Sequence, residues 1–332
     1  MELQGYKVIV KDMPLSEKKL IERLRRLASG GPSVVTGIGD DAAVLRVPHG
    51  HDLLVTTDFT IENVHFRREW HPPRVVGWRC LTRGLSDIAA MGGEPQAAFL
   101  SLAVGKDVPQ KWVDGFLEGL LELAKEFGVP LAGGDTAESR GGIQADIVIV
   151  GSTPKGKAVL RSGAKAGEQI YVTGNLGGSA WALARLAEGM PIGPQYSRHF
   201  RPLARVAMGR WLRERGIPSA MIDISDGLST DLEHICDESR VGAEIELEVI
   251  PRAPTDQRKK LVGLEFALHG GDDYELLFTS SRNVPSTIAG VPVTRIGRTT
   301  KASGMRMVDA DGWMRKLETK GWEHFKNNRV IG

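Results

Sequence analysis

The sequence predicts a two-domain protein of the α/β plus α+β class, in which helices cover mixed sheets. The first observation is that stretches with strand patterning alternate with stretches of helical periodicity along the chain. The second is the length of 332 residues, because a typical domain has about 100–200 residues. The third is that 40 residues are glycine, many of them at the ends of predicted elements, where glycine ends helices and forms turns.

The first half of the sequence predicts helices that alternate with strands. A helix over residues 16–28 is ended by a Gly-Gly pair, and a helix over 110–127 is followed by a single glycine. Four apolar residues form the stripe of the first helix: Leu20, Ile21, Leu24 and Leu27. The further predictions are a strand over 51–58, a helix over 74–91, and strands over 97–104, 129–132 and 143–151.

A new pattern begins after residues 152–157, STPKGK, whose proline, glycine and charges predict a connection between domains. The predicted domains are therefore residues 1–154 and 155–332. After the boundary the predicted elements are a strand over 169–173, a helix over 177–188, a strand over 220–224, a helix over 228–239, and strands over 243–249 and 274–279.

Composition disfavours membrane, secreted and nucleic-acid-binding proteins. No run approaches the about 18 apolar residues of a membrane span, and the first residues lack the pattern of a signal peptide. The 43 basic and 41 acidic residues nearly cancel, and no basic block predicts a nucleic-acid partner. Cys80 and Cys236 occupy apolar helical positions, which predicts buried structural thiols. By elimination we expect a cytoplasmic protein without membrane contact.

Aspartates recur at small-residue turns, mostly where a predicted strand ends. A single Asp-Gly turn is commonly structural, because the carboxylate caps the turn and glycine adopts a positive φ. Repetition favours a ligand site, since strand ends are where α/β sheets bind ligands. The turns are Gly39-Asp40-Asp41, Thr57-Asp58, Gly134-Asp135, Ser225-Asp226-Gly227 and Gly271-Asp272-Asp273, and Asp87 joins them from a helix.

If these carboxylates converge, they must be protonated or neutralised by cations. Two unit charges about 4 Å apart repel by roughly 4 kcal/mol at an effective dielectric constant near 20. Oxygen ligands without His or Cys companions select Mg²⁺, Mn²⁺ or Ca²⁺ over zinc, and Mg²⁺ usually binds together with phosphate. Thr56 and Thr57 add neutral oxygens beside Asp58. The pattern predicts an acidic site for several Mg²⁺ ions and a phosphate compound.

Known phosphate-binding motifs are absent, so phosphate contacts must be built differently. Neither a P-loop GxxxxGK[ST] nor the kinase GxGxxG with its lysine and HRD motif occurs. Residues 174–179, GNLGGS, either cradle an anion at a helix N-terminus or simply begin the helix. Arg161 either reaches a polyphosphate or forms an ordinary ion pair.

Seven ordered segments resemble the thiamine-monophosphate kinases, a family of the aminoimidazole-ribotide-synthetase-like ATP-binding superfamily. The resemblance extends from about Leu20 to Trp322, and the ordered set is more specific than any one segment. The segments are GIGDDAAVL (37–45), TTDFTIENVHF (56–66), LSDIAAMGGEP (85–95), LAGGDT (131–136), LRSGAKAGEQIYVTG (160–174), IDISDGLSTDLEHI (222–235) and HGGDDYELLFT (269–279).

The resemblance implies transfer of the γ-phosphoryl group of ATP to thiamine monophosphate, giving thiamine diphosphate and ADP. It implies several Mg²⁺ ions, with ATP as the co-substrate. It also implies an N-terminal α/β domain that forms a homodimer through its sheet, and a C-terminal α+β domain that completes the site.

The family's site residues carry over to positions of this sequence. The implied metal ligands are Asp41, Thr56, Thr57, Asp58, Asp87, Asp135, Asp223 and Asp226. The implied nucleotide contacts are Gly134, Asp135, Arg161 and Ser225. The implied substrate contacts are His65, Asp272 and Trp322. Most of the metal ligands are aspartates that the turn pattern identifies independently.

The sequence leaves open how each of the three implied substrate residues acts. Asp272 stands where the family often has Glu, so its shorter side chain would reach thiamine through water. Trp322 either stacks on the cationic substrate or anchors the tail in the core. His65 either contacts substrate or packs within a loop.

Direct in-line transfer fits these residues, because the acceptor phosphate oxygen is already ionised and needs no general base. We therefore assign no catalytic acid or base, and expect positioning and charge neutralisation to drive the reaction. The nearest enzyme alternative is an aminoimidazole-ribotide synthetase, although residues 56–66 and 270–276 fit it less well. An alternative from another class is a catalytically silent protein that binds ATP and Mg²⁺.

Overall fold

The strands form two large sheets and one short pair, and each large sheet uses a separate part of the sequence. The computed structural model describes residues 15–28, 30–39, 41–190, 197–255 and 260–325. The helices are α1 (Glu17–Leu27), α2 (Pro73–Ala90), α3 (Gln110–Phe127), α4 (Gly178–Ala187), α5 (Ser197–Phe200), α6 (Val206–Glu214), α7 (Leu228–Ser239) and α8 (Leu264–His269). The strands are β1 (Val34–Thr36), β2 (Val44–Leu45), β3 (His51–Ile61), β4 (Glu94–Val104), β5 (Leu131–Glu138), β6 (Gln144–Pro154), β7 (Gln169–Thr173), β8 (Ala220–Asp223), β9 (Gly242–Glu246), β10 (Leu276–Ser280), β11 (Thr287–Ile288), β12 (Val291–Thr300), β13 (Met305–Val308) and β14 (Met314–Lys316).

The first large sheet has the strand order β3-β6-β4-β5, with β4 and β5 parallel and the other pairs antiparallel. Helix α3 connects β4 to β5, because parallel neighbours need a crossover. Leu81 and Leu85 of α2 and Phe116 and Leu120 of α3 are buried in one core with the sheet. One face of the sheet is therefore covered by helices.

The opposite face of this sheet, called the open face below, presents apolar side chains to solvent. Leu53, Val55 and Phe59 of β3 alternate along the strand and are 51, 61 and 57% exposed. Val148 of β6 and Phe99 of β4 pair on the same side and are half-buried. Both edges of the sheet, β3 and β5, lack a further strand among the described residues.

The second large sheet has the order β14-β13-β9-β12-β7-β10-β8, with β11 paired to β12. The described pairs of this sheet are antiparallel except β13 with β9. Leu228 and Leu232 of α7 are buried in one core with this sheet. Met208 and Leu212 of α6 form another core with Phe278 of β10.

Helix α2 contacts elements that belong to both large sheets. It packs on β3, β4 and β6, and it also contacts β8 and α6. A Cβ added to Gly209 of α6 would lie 2.0 Å from the carbonyl oxygen of Ala89, so the two helix backbones touch. The Ser86 hydroxyl donates to Asp223 Oδ2 at the end of β8, at 2.7 Å. The ends of β3 and β8 therefore meet beside one helix.

The predicted class of mixed sheets covered by helices is confirmed, and every predicted helix and strand has a counterpart. Several bounds differ by two or three residues; β3, for example, continues to Ile61 and β4 begins at Glu94. Three further differences have a clear cause or consequence. The strand predicted over 129–132 is β5, which extends to Glu138 because it pairs with β4 as far as Val104. The strand predicted over 243–249 ends at Glu246 and is followed by a 3₁₀ turn. The connection predicted over 152–157 starts too early, because Ser152 still pairs with Leu53 in the sheet.

Helix α1 buries a narrower stripe than its sequence predicts. Leu20 and Leu24 are buried, whereas Ile21 and Leu27 are 38 and 48% exposed. The helix therefore contacts the core along a single line of residues four apart.

Both cysteines are buried free thiols, as predicted. Burial raises the pKa of each thiol to about 12, because the charged thiolate is poorly solvated there. No helix in the described part of the chain is long and apolar enough to cross a membrane.

Two glycines allow helices α2 and α3 to approach closely. A Cβ added to Gly77 would lie 1.8 Å from the carbonyl oxygen of Phe116, and one added to Gly119 would lie 1.8 Å from that of Arg74. Because backbone atoms cannot move aside as a flexible side chain can, an alanine at either position would force the helices apart.

We expect Gly77→Ala to lower the free energy of unfolding by about 3 kcal/mol, at the upper end of overpacking costs. Urea denaturation measures this. Gly141→Ala is the matched control, because a Cβ there meets no atom within 4 Å. Equal stability of the two variants would contradict the packing described for α2 and α3.

Candidate active site

Four aspartates from different elements converge beside helix α2. Asp58 lies on β3, Asp87 on α2, Asp223 at the end of β8, and Asp226 in the following loop. The Thr56 hydroxyl donates a hydrogen bond to Asp87 Oδ2. The charges of Asp87 and Asp226 each contribute to the raised pKa of Asp58. The Ser86 hydroxyl, next to Asp87 in the chain, donates to Asp223 Oδ2 at 2.7 Å. We call these four aspartates the acid cluster.

Burial raises the pKa of every carboxyl group in the acid cluster, because the charged form loses its water. The pKa of Asp58 rises to about 6 through burial, which exceeds the opposing effect of Arg83. The pKa of Asp223 rises to about 7 through burial and the nearby charge of Asp87. The pKa values of Asp87 and Asp226 are also raised, chiefly by burial. The protein alone therefore leaves this negative charge poorly stabilised.

The donor set of the acid cluster suits a hard divalent cation. The four aspartates offer carboxylate oxygens, with the Thr56 hydroxyl beside them, and oxygen donors favour Mg²⁺ over softer metals. One imidazole, that of His234, lies beside Asp226 and Asp231. A bound cation would stabilise the charged carboxylates, which burial disfavours. The residues present therefore fit Mg²⁺.

Arg161 lies near the acid cluster, as the resemblance implies for a nucleotide contact. Its charge lowers the pKa of Asp87 and of Asp223, against the larger effect of burial. Its side chain is exposed, and its carbonyl oxygen accepts a hydrogen bond from Ser239 Oγ at 3.1 Å. A guanidinium at this place can reach a polyphosphate bound over the acids.

Two arginines of α2 hold the carboxylate of Asp272. Arg79 Nη2 lies 2.8 Å from Asp272 Oδ2, and Arg83 Nη2 lies 3.1 Å from Oδ1. The Tyr274 hydroxyl donates to the same Oδ1 at 2.6 Å. Burial alone would raise the pKa of Asp272, but the two guanidinium groups hold it well below its usual range. Asp272 is therefore a charged anchor, with its side chain 26% exposed.

The segment of Asp272 has an unusual backbone. Asp272 and Tyr274 have φ angles of 63° and 52°, a region that non-glycine residues adopt only at a cost of about 1–3 kcal/mol each. Two backbone hydrogen bonds to residues 224 and 225, beside the acid cluster, hold the segment of Asp272 in place. The Asp272 amide donates to the Ser225 carbonyl at 2.8 Å, and the Tyr274 amide donates to that of Ile224 at 2.9 Å.

His65 and Trp322 lie on this same side of the site. Trp322 donates its backbone N–H to the Asp226 carbonyl at 3.0 Å, and its ring is 40% exposed. The ring of His324 stands between the two, 5.6 Å from that of Trp322 and 5.5 Å from that of His65. Burial and then Arg83 lower the pKa of His65 to about 3, so its imidazole is neutral. The three implied substrate contacts therefore surround one region.

Ser225 is placed by a carboxylate that sequence reasoning did not identify. Asp231 Oδ2 accepts the amide N–H groups of Ser225, Asp226 and Gly227 at 3.0–3.2 Å. Burial raises the pKa of Asp231 well above its usual range. This carboxylate shapes the loop that carries Asp226 and Ser225.

Four implied residues lie apart from the acid cluster within this chain. Thr57 Oγ1 donates to Asp146 Oδ1 at 2.7 Å on the open face. Asp135 lies exposed on edge strand β5, on the same open face, and accepts the amide of Thr136. Gly134 precedes it, with a φ of 146°. Asp41 is exposed between β1 and β2, and Asp40 lies outside the described residues.

Backbone amides of the glycine-rich segment GNLGGS, residues 174–179, bind a carboxylate of the protein itself. Asp273 Oδ2 accepts the amide of Gly177 at 2.6 Å, and Oδ1 accepts that of Ser179 at 3.5 Å. The N-terminus of α4 is thus capped by an internal carboxylate. This favours the interpretation of GNLGGS as a helix start over that of an anion cradle.

Arg79 and Arg83 are the main site residues that sequence reasoning missed. They precede Asp87 at intervals of four, so all three share one face of α2. This spacing was the available signal. It was not decisive, because exposed arginines recur at the same interval in many surface helices.

Comparisons with known proteins identify the family of this chain. A family model described as "AIR synthase related protein, N-terminal domain" matches residues 39–153. The thiamine-monophosphate kinase of Salmonella typhimurium is 37% identical over 330 residues, covering 94% of this chain and 99% of the relative. This chain belongs to the thiamine-monophosphate kinase family.

Solved structures of thiamine-monophosphate kinases have a similar fold. That of Stenotrophomonas maltophilia K279a has a TM-score of 0.78 at 33% identity, covering 90% of this chain and 97% of the other. AaThiL complexed with AMPPCP and TMP has a TM-score of 0.73 at 32% identity, covering 93% and 96%. The family model ends before Arg161, whereas these thiamine-monophosphate kinases are similar over most of both halves.

We expect Asp273→Asn to alter the pH dependence of stability. Burial, assisted by Glu275, raises the pKa of Asp273 to about 7 in the folded protein, against about 4 in an unfolded chain. The folded state then binds the additional proton, so this stabilisation is complete below about pH 4 and is lost as the pH rises to about 7. Asparagine does not titrate, so the variant should gain stability relative to the wild type over this range.

Thermal denaturation of both proteins between about pH 5 and 8 measures the difference, in which the other titrating groups cancel. Asp311→Asn, an exposed position, is the control and should leave the curve unchanged. Parallel curves for the wild type and Asp273→Asn would contradict the assigned role of burial.

Proposed function

We propose that this protein transfers the γ-phosphoryl group of ATP to thiamine monophosphate, giving thiamine diphosphate and ADP. The observation that supports this most strongly is the convergence of Asp58, Asp87, Asp223 and Asp226, from separate parts of the sequence. This convergence occurs in a chain that is 37% identical to a thiamine-monophosphate kinase over nearly the full length of both proteins. AaThiL, which has a similar fold, is known in complex with AMPPCP and TMP.

The acid cluster would hold Mg²⁺ through its four carboxylates. Bound there, Mg²⁺ would neutralise charge on the phosphates of ATP and orient them. Arg161, at the exposed side of the same acids, would contact the nucleotide phosphates. Ser225 would contact the nucleotide from the loop that Asp231 holds in place.

The substrate would bind beside His65, Asp272 and Trp322, where the ring of His324, which lies between the rings of His65 and Trp322, would border it. His65 accepts the Ile61 amide at Nδ1, so its proton is on Nε2, where a neutral imidazole can donate a hydrogen bond. The exposed ring of Trp322 suits the cationic thiazolium. Asp272 is held by both arginines, so it would contact the substrate through water rather than directly.

No residue needs to act as general base in this reaction. The acceptor phosphate oxygen is ionised near neutral pH, so no proton must be removed before it attacks. The chain's own contribution is to align donor and acceptor and to exclude water. This agrees with a site of carboxylates and arginines in which the imidazole of His65 is uncharged.

We also propose a homodimer that closes the first large sheet into a barrel. Two four-stranded sheets joined at their free edges, β3 of one protomer to β5 of its partner, give eight strands, whose interior is about filled by side chains. The exposed Leu53, Val55 and Phe59 of the open face would be buried inside, and the unpaired edges would be removed.

Such a dimer accounts for Asp135. Within one protomer, β3 and β5 are three strand spacings apart, or about 14 Å, so Asp135 cannot reach Asp58 of its own chain. In the barrel, β5 of one protomer lies beside β3 of the other. Asp135 would then lie beside Thr57 of the neighbouring copy on the inner face of the barrel, next to the strand position of Asp58, so that the site would be built around the junction of β5 with β3. Asp41 would join it from the hairpin.

We also propose how the chain divides into domains and where the protein acts. Residues 1–154 and 155–332 would form the two domains, since β6 ends at Pro154 and each large sheet lies on one side of this point. The protein would act in the cytoplasm, where ATP is available. A silent protein that binds ATP and Mg²⁺ without turnover is the alternative that the assay below distinguishes.

Incubation with ATP, Mg²⁺ and thiamine monophosphate should yield thiamine diphosphate and ADP, and Asp58→Asn should abolish this turnover. The variant removes a buried carboxylate whose pKa is raised to about 6. Its free energy of unfolding without metal should therefore equal or exceed that of the wild type near pH 7.5. Chromatographic product analysis and thermal denaturation measure the two effects.

Mg²⁺-ATP should raise the melting temperature of the wild type and not that of Asp58→Asn. Binding without product in the wild type would support the silent alternative. Substantial turnover by Asp58→Asn at saturating Mg²⁺ would refute the role assigned to this carboxylate.

Mixing Asp58→Asn with Asp135→Asn should restore activity if each site uses both subunits. After dissociation and reassociation in equal amounts, about half of the dimers are mixed and one of their two sites is intact, which predicts about a quarter of wild-type turnover. Each variant alone should be inactive. Absence of recovery, with mixed dimers demonstrated by mass spectrometry, would contradict the shared site.

A further inference from the structure

We propose that Arg83 binds the acceptor phosphate, the phosphate monoester that receives the phosphoryl group. This proposal rests on the proposed function and identifies the residue that recognises the phosphorylated form of the substrate. It follows from the position of the Arg83 guanidinium, from its unused hydrogen-bonding capacity, and from the contrast with Arg79.

The guanidinium of Arg83 connects the metal side of the site to the substrate side. Its Nη1 lies 3.8 Å from Asp58 Oδ1 in the acid cluster, and its Nη2 lies 3.1 Å from Asp272 Oδ1. An acceptor phosphate must lie between the metal-bound nucleotide and the thiamine moiety, because it accepts a group from one and belongs to the other. Arg83 occupies that intermediate position.

Arg83 retains donors that the protein does not use. Its Nε is buried and has no hydrogen-bond acceptor among the described residues. The 3.8 Å from Nη1 to Asp58 is too long for a hydrogen bond. A buried donor without an acceptor costs about 1–3 kcal/mol. Phosphate oxygens, which pair well with a planar guanidinium, would satisfy these groups.

Arg79 shows what an arginine with a structural role looks like at the same site. Its side chain is 3% exposed, its Nη1 donates to the His199 carbonyl, and its Nη2 donates to Asp272. Arg79 thus joins α5 to the Asp272 anchor. Asp272 in turn orients Arg83, whose side chain is 12% exposed.

The main alternative is that Arg83 only neutralises Asp272. The two roles differ in what a variant would lose. A residue that contacts phosphate discriminates thiamine monophosphate from thiamine, which has the same rings and no phosphate. A residue that only balances the charge of Asp272 affects both ligands equally and becomes dispensable once Asp272 is neutral.

The experiment uses full-length wild type, Arg83→Gln and the double variant Arg83→Gln/Asp272→Asn. Calorimetry with Mg²⁺ present measures binding of thiamine monophosphate and of thiamine, and a coupled assay measures kcat. We expect Arg83→Gln to lose the preference for thiamine monophosphate while thiamine binds within about twofold of wild type. We expect kcat to fall about 100-fold or more, as for an arginine that contacts a transferring phosphate.

Arg213→Gln is the matched control for loss of a buried arginine. The Arg213 side chain is 6% exposed and bonds Thr153 and Glu94, away from the site. This variant should lose stability and keep the preference for the phosphorylated ligand.

Equal loss of affinity for both ligands in Arg83→Gln, or recovery of kcat in the double variant, would overturn the proposal for Arg83. Wild-type turnover with unchanged kinetics in Arg83→Gln would overturn it while leaving the proposed function intact. A wild type that forms no thiamine diphosphate would instead refute the proposed function and, with it, the substrate assigned to Arg83.

Discussion

The burial of four carboxyl groups beside one helix is the constraint around which the rest of the site is organised. Asp58, Asp87, Asp223 and Asp226 come from three elements and a loop, and each has a raised pKa because burial removes its water. In their charged form, these carboxylates are stable only where rigid neighbours hold them in place and a bound cation neutralises them. The helix packing beneath β3 and the hydroxyl donors Thr56 and Ser86 supply the rigidity.

The positively charged side chains of the site lie close to the acid cluster. Arg161 is exposed and lowers the pKa of Asp87 and of Asp223, whereas Arg83 is buried and lies 3.8 Å from Asp58 and 3.1 Å from Asp272. The strained backbone of Asp272 belongs to this arrangement, because its left-handed conformation positions the carboxylate that holds Arg79 and Arg83.

Local patterns predicted most of the secondary structure and part of the site. Asp58 and Asp226 were recognisable because an aspartate after an apolar strand is a short-range signal, Asp87 was added from its helix, and Asp223 was implied only by the family resemblance. The extent of β5 was not predictable, because its polar second half is a strand only through pairing with β4. The roles of Arg83, Asp231 and Asp273 depend on partners 189, 6 and 96 residues distant. For Arg83 and Asp273, only the folded chain shows which group each one meets.

Helix α2 also fixes the spacing between charged groups of the site. Arg79, Arg83 and Asp87 are spaced by four residues, so their Cα atoms rise in steps of about 6 Å along the axis and stay on one face. The distance between the two arginines that hold Asp272 and the carboxylate of Asp87 is therefore set by helix geometry rather than by a flexible loop. Side chains on the other faces of α2 can change while this spacing is kept. A single inserted residue would turn Asp87 about 100° away from the arginines, so the length of this helix is as much a part of the site as its charges.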